Sequence, residues 1–295
     1  MSSMQDIRYK YSMLSIAEKL IVINVAVFIV HGLTIFLSGL PDHLIIQWFQ
    51  LPKDLSEFII QPWSLVTYSF FHGGFFHILF NMMVLYFSGR IFLNLFQGRT
   101  FLNVYFLGVI AGGLFFLISY NLFPVFQNTN TALIGASAGV YAVLIFICTY
   151  LPKQEVRVFF FNLKLWQLGA FLVVLNLLLL PNGNAGGRLA HLGGALLGFM
   201  YARKLGEGKD IGAWFGNGIS AIINTYKPRK KSPLRTVHKK QSKSSAKTVK
   251  KVSVVKGEKN NHQQKIDDIL DKISKSGYES LSKAEKDYLF QAGKD

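Results

Sequence analysis

Cysteine is nearly absent. Cys148 is the one thiol in 295 residues, which excludes an internal disulfide framework and any redox chemistry that needs a cysteine pair. Acidic side chains are scarce too: Asp and Glu number 16 against 32 Lys and Arg, and through residue 202 they are Asp6, Glu18, Asp42, Asp54, Glu57 and Glu155. Charged residues of both signs make up 16% of the chain, against roughly a quarter in a soluble domain, so the composition argues against an ordinary cytosolic protein. What fills the chain instead is apolar, 51% of residues at a positive mean hydropathy of +0.30. The net charge of +16 is unevenly placed, with 22 Lys or Arg against 10 Asp or Glu from residue 203 onward. The first two thirds are oily and nearly uncharged, and the last third is basic.

The oily part divides into six apolar runs, at 20–40, 75–96, 101–123, 132–151, 163–180 and 187–202. A run of about 20 residues is long enough to cross a bilayer as a helix, and helices satisfy every backbone donor and acceptor within the segment. The first run is too long for the apolar region of a signal peptide, and no small-residue cleavage site follows it, so it is expected to be a retained span. With the N-terminus inside, the inner segments carry Arg8, Lys10, Lys19, Arg90, Arg99, Lys153, Arg157, Lys164, Arg203 and Lys204, and the outer loops carry Lys53 and Arg188. That bias predicts cytoplasmic termini in a multi-pass protein of a cell (inner or plasma) membrane. The second, fourth and sixth spans then run in the same direction.

The predicted organisation is an N-terminal segment 1–19, an all-α six-helix membrane bundle 20–205, a basic disordered linker 206–264 and a small helical hairpin 265–293. The linker has too few large apolar residues to build a core. In the hairpin, Ile266, Ile269, Leu270 and Ile273 follow amphipathic helical spacing, Gly277 suits the C′ position, and Ser282 with Glu285 forms a capping box for a second helix. The basic stretch just inside a span suits anionic lipid. It lacks interleaved aromatics, so no nucleic-acid partner is expected.

Polar side chains inside spans are costly and read as functional by default. His77 and Asn81, four residues apart, share a helical face. His72 precedes a Gly73-Gly74 break and reads as a loop-fixing or capping group. The fourth span, if helical from Ser137, is about 22 Å long, short of the roughly 30 Å hydrocarbon core, so its start lies below the outer surface. Ser137 would then sit at a helix N-terminus, where free backbone N–H groups suit a developing oxyanion. Tyr141 lies one turn deeper on the same face. In the sixth span, His191, Gly194 and Gly198 form one stripe, and Gly194 with Gly198 is a GxxxG pair that admits close helix approach. Packed on the fourth span, that stripe would bring His191 to Ser137. A serine needs a neighbouring base, for which histidine is the usual choice. No carboxylate is placed to complete a triad, so the reading is a Ser-His dyad with the imidazole oriented by packing against Tyr141, and with His77 and Asn81 as oxyanion donors. Metal chemistry is disfavoured because His72 and His77 have neither the spacing nor the glutamate of HExxH. No cofactor is expected. His31 reads as a packed histidine and Cys148 as an inert buried thiol.

HGGFFHILFN at 72–81, GASAG at 135–139 and AHLGGALLG at 190–198 resemble the three signature motifs of the rhomboid family of intramembrane serine proteases, and QPWSLVTYSFFH at 61–72 is similar to the segment that precedes the first of them in that family. The resemblance covers roughly residues 20–204. It implies Ser137 as nucleophile, His191 as base and His77 with Asn81 as oxyanion donors, with His72, Gly135 and Tyr141 in supporting roles. The substrates it implies are transmembrane segments of other membrane proteins, admitted laterally with the fifth span as gate. Two departures stand out: Ala138 follows the serine where the family often has glycine, and the first outer loop has Trp48-Phe49 and Trp63-Ser64 in place of a Trp-Arg pair. The competing reading is a catalytically silent relative that binds membrane clients as an adaptor. Silent relatives typically lack the serine or the histidine, and this chain keeps both. A transporter would show inverted repeats, and none is visible.

Overall fold

The computed structural model describes residues 2–158, 160–226 and 258–292. They fall into two units, Met1–Arg229 and Lys230–Asp295.

In the first unit, α1 (Ser2–Met13) ends just before Ser15, which opens α2 (Ile16–Ser38) with a capping box. The Glu18 N–H donates to Ser15 Oγ at 3.2 Å and the Ser15 N–H donates to the Glu18 carboxylate at 2.7 Å, satisfying two otherwise orphaned backbone groups. Gly39 at φ +64 terminates the helix, a conformation that costs glycine nothing. A connecting segment follows, built of α3 (His43–Ile46), β1 (Leu51–Pro52), α4 (Leu55–Ile60) and α5 (Ser64–Thr67). Next come α6 (Phe75–Leu93), α7 (Gly98–Leu122), β2 (Ala132–Leu133) and α8 (Ser137–Tyr150). A small antiparallel ribbon, β3 (Glu155–Val158) with β4 (Phe161–Lys164), leads to α9 (Leu165–Leu178), α10 (Ala185–Gly206) and α11 (Ala213–Tyr226).

Among the described residues three helices, α2, α6 and α7, are long and apolar enough to cross a membrane. The apolar helices α8 and α9 have 14 residues each, and α10 carries Arg188, Arg203 and Lys204. The core lies where α7, α8 and α10 meet, around the fully buried Tyr105, Phe116, Phe146 and Tyr201. Of the 14 residues of α8, ten are buried. By contrast α2 buries Ala17, Leu20 and Asn24 and leaves Ile29, Val30, Leu33, Phe36 and Leu37 exposed. In water such a surface would drive association; around a membrane helix it is the surface that hydrocarbon covers.

Glycine sets the contact between α8 and α10. A Cβ on Gly194 would strike the carbonyl oxygen of Ala138, and one on Gly198 would strike that of Ala142. Two such contacts, each advanced by four residues in both helices, make α8 and α10 parallel and fix their register. The third helix joins at the same level: a Cβ on Gly112 of α7 would come within 2.5 Å of the Ala138 methyl and 2.7 Å of the Ala190 carbonyl oxygen.

The short antiparallel pair β1–β2 joins Leu51 to Leu133 and Pro52 to Ala132, tying the segment between α2 and α6 to the stretch before Ser137. His31 lies 3.0 Å from Asp42 and packs edge-on against Phe71, a packed histidine as expected. Cys148 is buried against Gly169.

The linker expected over 206–264 needs correcting in its first part, where α11 is helical and held to the bundle. Arg99 Nη2 donates to Asn217 Oδ1 at 2.5 Å, Gly216 lies against Asn103, and Gly212 lies against Tyr201. Phe215, Ile219 and Ile223 recur at i, i+4 and i+8, but Ile219 and Ile223 are exposed, so it is the Gly216 face and the Arg99–Asn217 bond that hold the helix. Residues 227–257 lie outside the described residues, and 258–264 also depart from the expected linker, being the first turns of the helix that follows.

The second unit has α12 (Glu258–Ser276) and α13 (Lys283–Ala292), with Gly277 at φ +79 between them. Lys272 Nζ lies 2.9 Å from Glu285. The Ser282 backbone N–H, then Lys272 and the Ser282 hydroxyl, hold the Glu285 carboxyl down to about 2.

The close packing yields a prediction. Gly194→Ala must push α10 off the Ala138 carbonyl, at a cost of about 1–3 kcal/mol. A thermal unfolding series in detergent should show a lowered midpoint, with a comparable drop for Gly198→Ala and a far smaller one for Gly206→Ala, where a Cβ meets nothing within 4 Å. Equal midpoints for all three would contradict the register.

Candidate functional site

A cavity of about 480 Å³ opens between α6, α8, α9 and α10. Its lining brings together His77, Asn81, Ser137, Tyr141 and His191, with Asn184 and Gly187 at one side and Phe80, Leu144 and Leu172 as apolar wall. None of the lining residues carries a fixed charge. The sequence placed these groups on separate spans, and the fold delivers them to one space.

Ser137 is the first residue of α8, so its own N–H and the next ones are free of intrahelical partners. The parallel register puts His191, three residues before Gly194, level with the turn that leads into Ser137. Among the described residues no hydrogen bond within 3.5 Å joins Ser137 to His191; catalytic hydrogen bonds often tighten only when substrate is bound.

The two other histidines are fixed by backbone amides. The Gly73 N–H donates to His77 Nδ1 at 3.3 Å, so in the neutral ring Nε2 carries the proton. That Nε2 faces Gly135: a Cβ there would stand 2.7 Å from His77 Nε2 and 3.8 Å from Ser137 Oγ. Gly135 adopts φ +120, and its N–H donates to the Tyr68 carbonyl at 2.9 Å. The backbone thus turns tightly beneath an imidazole N–H and delivers Ser137 beside it. His72 takes the loop-fixing part expected of it, since its Nε2 accepts from the Ala136 N–H at 3.4 Å. The His72 and His77 rings meet edge-on, 5.1 Å apart. Asn81 Nδ2 donates to the His77 carbonyl at 2.8 Å, and a primary amide has a second N–H to offer.

His191 is stacked on Tyr141, with ring centroids 4.3 Å apart and planes 9° from parallel, as the packing argument expected. A second restraint was not anticipated. Asn176 of α9 is buried; its Oδ1 lies 2.9 Å from His191 Nδ1, and its Nδ2 donates to Tyr141 Oη at 2.9 Å and to the Leu172 carbonyl at 2.8 Å. The signal for it was a lone asparagine in the apolar run LWQLGAFLVVLNLL, since a polar side chain at such a depth turns inward.

The N-terminal end of α10 is also anchored. Asn184 caps it, its Oδ1 accepting from the Gly187 N–H at 3.2 Å. Arg188 donates to the carbonyls of Leu179, Asn182 and Gly183, which occupies its charge on the α9–α10 turn.

The sequence model of the Rhomboid domain family matches residues 60–208, and that of a family of unknown function (DUF6576) matches residues 254–293. The chain is similar to RHOMBOID-like protein 12, mitochondrial, of Arabidopsis thaliana, with 28% identity over 50% of this chain and 47% of the relative. It is also similar to Rhomboid-like protein 16, chloroplastic, of Arabidopsis thaliana, with 27% identity over 55% of this chain and 59% of the relative. Presenilin-associated rhomboid-like protein, mitochondrial, of Homo sapiens shares 28% identity over 50% of this chain and 38% of its own length. The chain spans about half the length of the curated relatives it matches.

The contact at Gly135 can be tested directly. Gly135→Ala must displace His77 or the turn before Ser137; with Ser137 as nucleophile and His77 as oxyanion donor, the roles the resemblance implies, the rate at which a fluorophosphonate probe labels Ser137 should fall by about 10²-fold. Labelling at the unaltered rate would show that the turn tolerates a side chain and that His77 is not held there.

Proposed function

Because the chain belongs to the rhomboid family, we propose that it is a membrane-embedded serine endopeptidase that hydrolyses a peptide bond in or near a transmembrane segment of another membrane protein. The observation that carries this reading is the shared uncharged cavity lined by Ser137, His191, His77 and Asn81. The catalytic unit is a Ser-His dyad. His191 Nε2 takes the proton of Ser137 Oγ as the oxygen attacks the scissile carbonyl carbon. The carbonyl oxygen becomes an oxyanion, held by His77 Nε2–H, the Asn81 amide and the backbone N–H groups that open α8. Collapse expels the amine, which leaves with the proton from His191. Water then attacks the acyl-serine ester, again giving its proton to His191, and releases the carboxylate product and free Ser137.

The same reading completes the membrane topology. All six apolar runs span, α8 and α9 as short helices beside protein and α10 as a span with charged ends. The cavity opens toward the outer face, and both termini lie in the cytoplasm of a cell membrane. Substrate enters sideways past α9, whose Trp166, Phe171, Val174, Leu177 and Leu178 are exposed. The tail helices form a cytoplasmic hairpin, and the basic segment before them meets anionic lipid.

Ser137→Ala and His191→Ala should each lower cleavage of a single-pass substrate in proteoliposomes by about 10⁴-fold or more. His77→Ala should lower it by about 10²–10³-fold. Cleavage by either dyad variant at the unaltered rate would sink the mechanism. If the unaltered protein bound such substrates without cutting them, it would be the silent client-binding adaptor instead.

A further inference from the structure

The dyad as read from sequence lacks a third group. A Ser-His pair without one leaves open which imidazole nitrogen holds the proton, and only a ring protonated on Nδ1 presents Nε2 as a base. Soluble enzymes settle this with a buried carboxylate, and the cavity here is lined by none.

Asn176 supplies the restraint. Its amide could in principle be turned either way, but its surroundings decide. One amide group faces the Leu172 carbonyl at 2.8 Å, and a carbonyl accepts and never donates. That group is therefore the NH₂, and Oδ1 is the group 2.9 Å from His191 Nδ1. An amide oxygen only accepts, so Nδ1 bears the hydrogen and the lone pair is left on Nε2. The remaining amide N–H reaches Tyr141 Oη, the same ring on which the imidazole is stacked. Orientation and tautomer of the base are thus set by two side chains that hold one another.

We propose that Asn176 is a positioning residue for the His191 base, standing where soluble serine hydrolases use a carboxylate, and that α9 is thereby wired to the catalytic centre. This rests on the peptidase reading above. A neutral amide orients the imidazole without a buried charge, which hydrocarbon surroundings would penalise heavily. It also gives the imidazolium less electrostatic help than a carboxylate would. The other groups facing His191 are His77 from α6, Tyr141 from α8 and Arg188 on its own helix, with Arg188 committed to three backbone carbonyls. Among the described residues no carboxylate faces His191, so installing one should be felt.

The test is the pH dependence of kcat/KM for the full chain in proteoliposomes, for the unaltered protein, Asn176→Leu and Asn176→Asp. Asn176→Leu should lose about 10²-fold in kcat, the low end of a general-base contribution, with KM within about twofold because no substrate contact is removed. Asn176→Asp keeps an acceptor for Nδ1–H and adds a negative charge that favours the imidazolium. The acid limb of its profile should therefore move up by about one pH unit. A side chain at 176 that did not face Nδ1 would leave that limb in place. Since Asn176→Asp keeps the side-chain volume, it carries the test even if Asn176→Leu fails to accumulate. An unmoved limb overturns the proposal, as does a kcat for Asn176→Leu within about threefold of the unaltered protein. Either result, obtained while the unaltered protein cleaves and Ser137→Ala does not, removes Asn176 alone; an unaltered protein that does not cleave removes the peptidase reading itself.

Discussion

Everything at the site depends on how closely α10 can approach α8. Between helices in lipid there is little hydrophobic driving force, because hydrocarbon is as apolar as the side chains it would replace. What remains is dispersion over surfaces that touch, and that requires the absence of side chains at the contact. Gly194 and Gly198 bring the α10 backbone onto the carbonyls of Ala138 and Ala142. Because the glycines are four apart and so are the alanines, the contact is a register as well as an attraction. A slip of one residue would replace glycine with Ala195 or Phe199 at the carbonyl and separate the helices. The register in turn sets His191 level with Ser137, so the geometry of the cavity follows from packing several residues deeper.

This packing also explains the alanine that follows the serine. Ala138 places a methyl where the family often has none, and the methyl is accommodated because α7 presents Gly112 opposite it. The small side has moved from one helix to its neighbour, and the gap between backbones is preserved. A single motif therefore misjudges the constraint, which belongs to the sum of side chains at the three-helix contact. Gly108 facing Ala142 and Gly139 facing Tyr105 repeat the arrangement on α7 and α8.

What could be read from the sequence was whatever repeats along one helix. His77 with Asn81, and His191 with Gly194 and Gly198, declare a face by their spacing, and Ser137 declares a helix start by the length that remains before the charged loop. Features that arise between elements were not legible. The β1–β2 pair is two residues long on each side and has no periodicity to find. Asn176 sits alone among apolar neighbours, so spacing gives it no face; its meaning comes from Leu172 on its own helix and Tyr141 and His191 on two others. The helix α11 failed for a different reason. Its glycines and asparagines argue for a turn one residue at a time, and the contacts that overrule them, Gly216 with Asn103 and Arg99 with Asn217, lie more than a hundred residues away.

The site is therefore assembled from parts held with unequal strength. Ser137 and His191 ride on helices locked backbone to backbone, and His77 is pinned by the Gly73 amide and Gly135. Asn176 rides on α9, which buries Leu165, Gly169 and Asn176 and exposes much of the rest. Elements with few buried apolar contacts open at the lowest free-energy cost. Displacing α9 breaks the Asn176 bonds to Tyr141 and His191 at once, because one amide makes both. It leaves Ser137, the stacked rings, His77 and Asn81 where they are. The imidazole would then lose the partner that keeps its proton on Nδ1, while keeping its place against Tyr141. On the proposed peptidase mechanism, a helix in that position would control the reactivity of His191 without touching Ser137, so admitting a substrate past α9 and arming the proposed dyad would be opposed motions of one element.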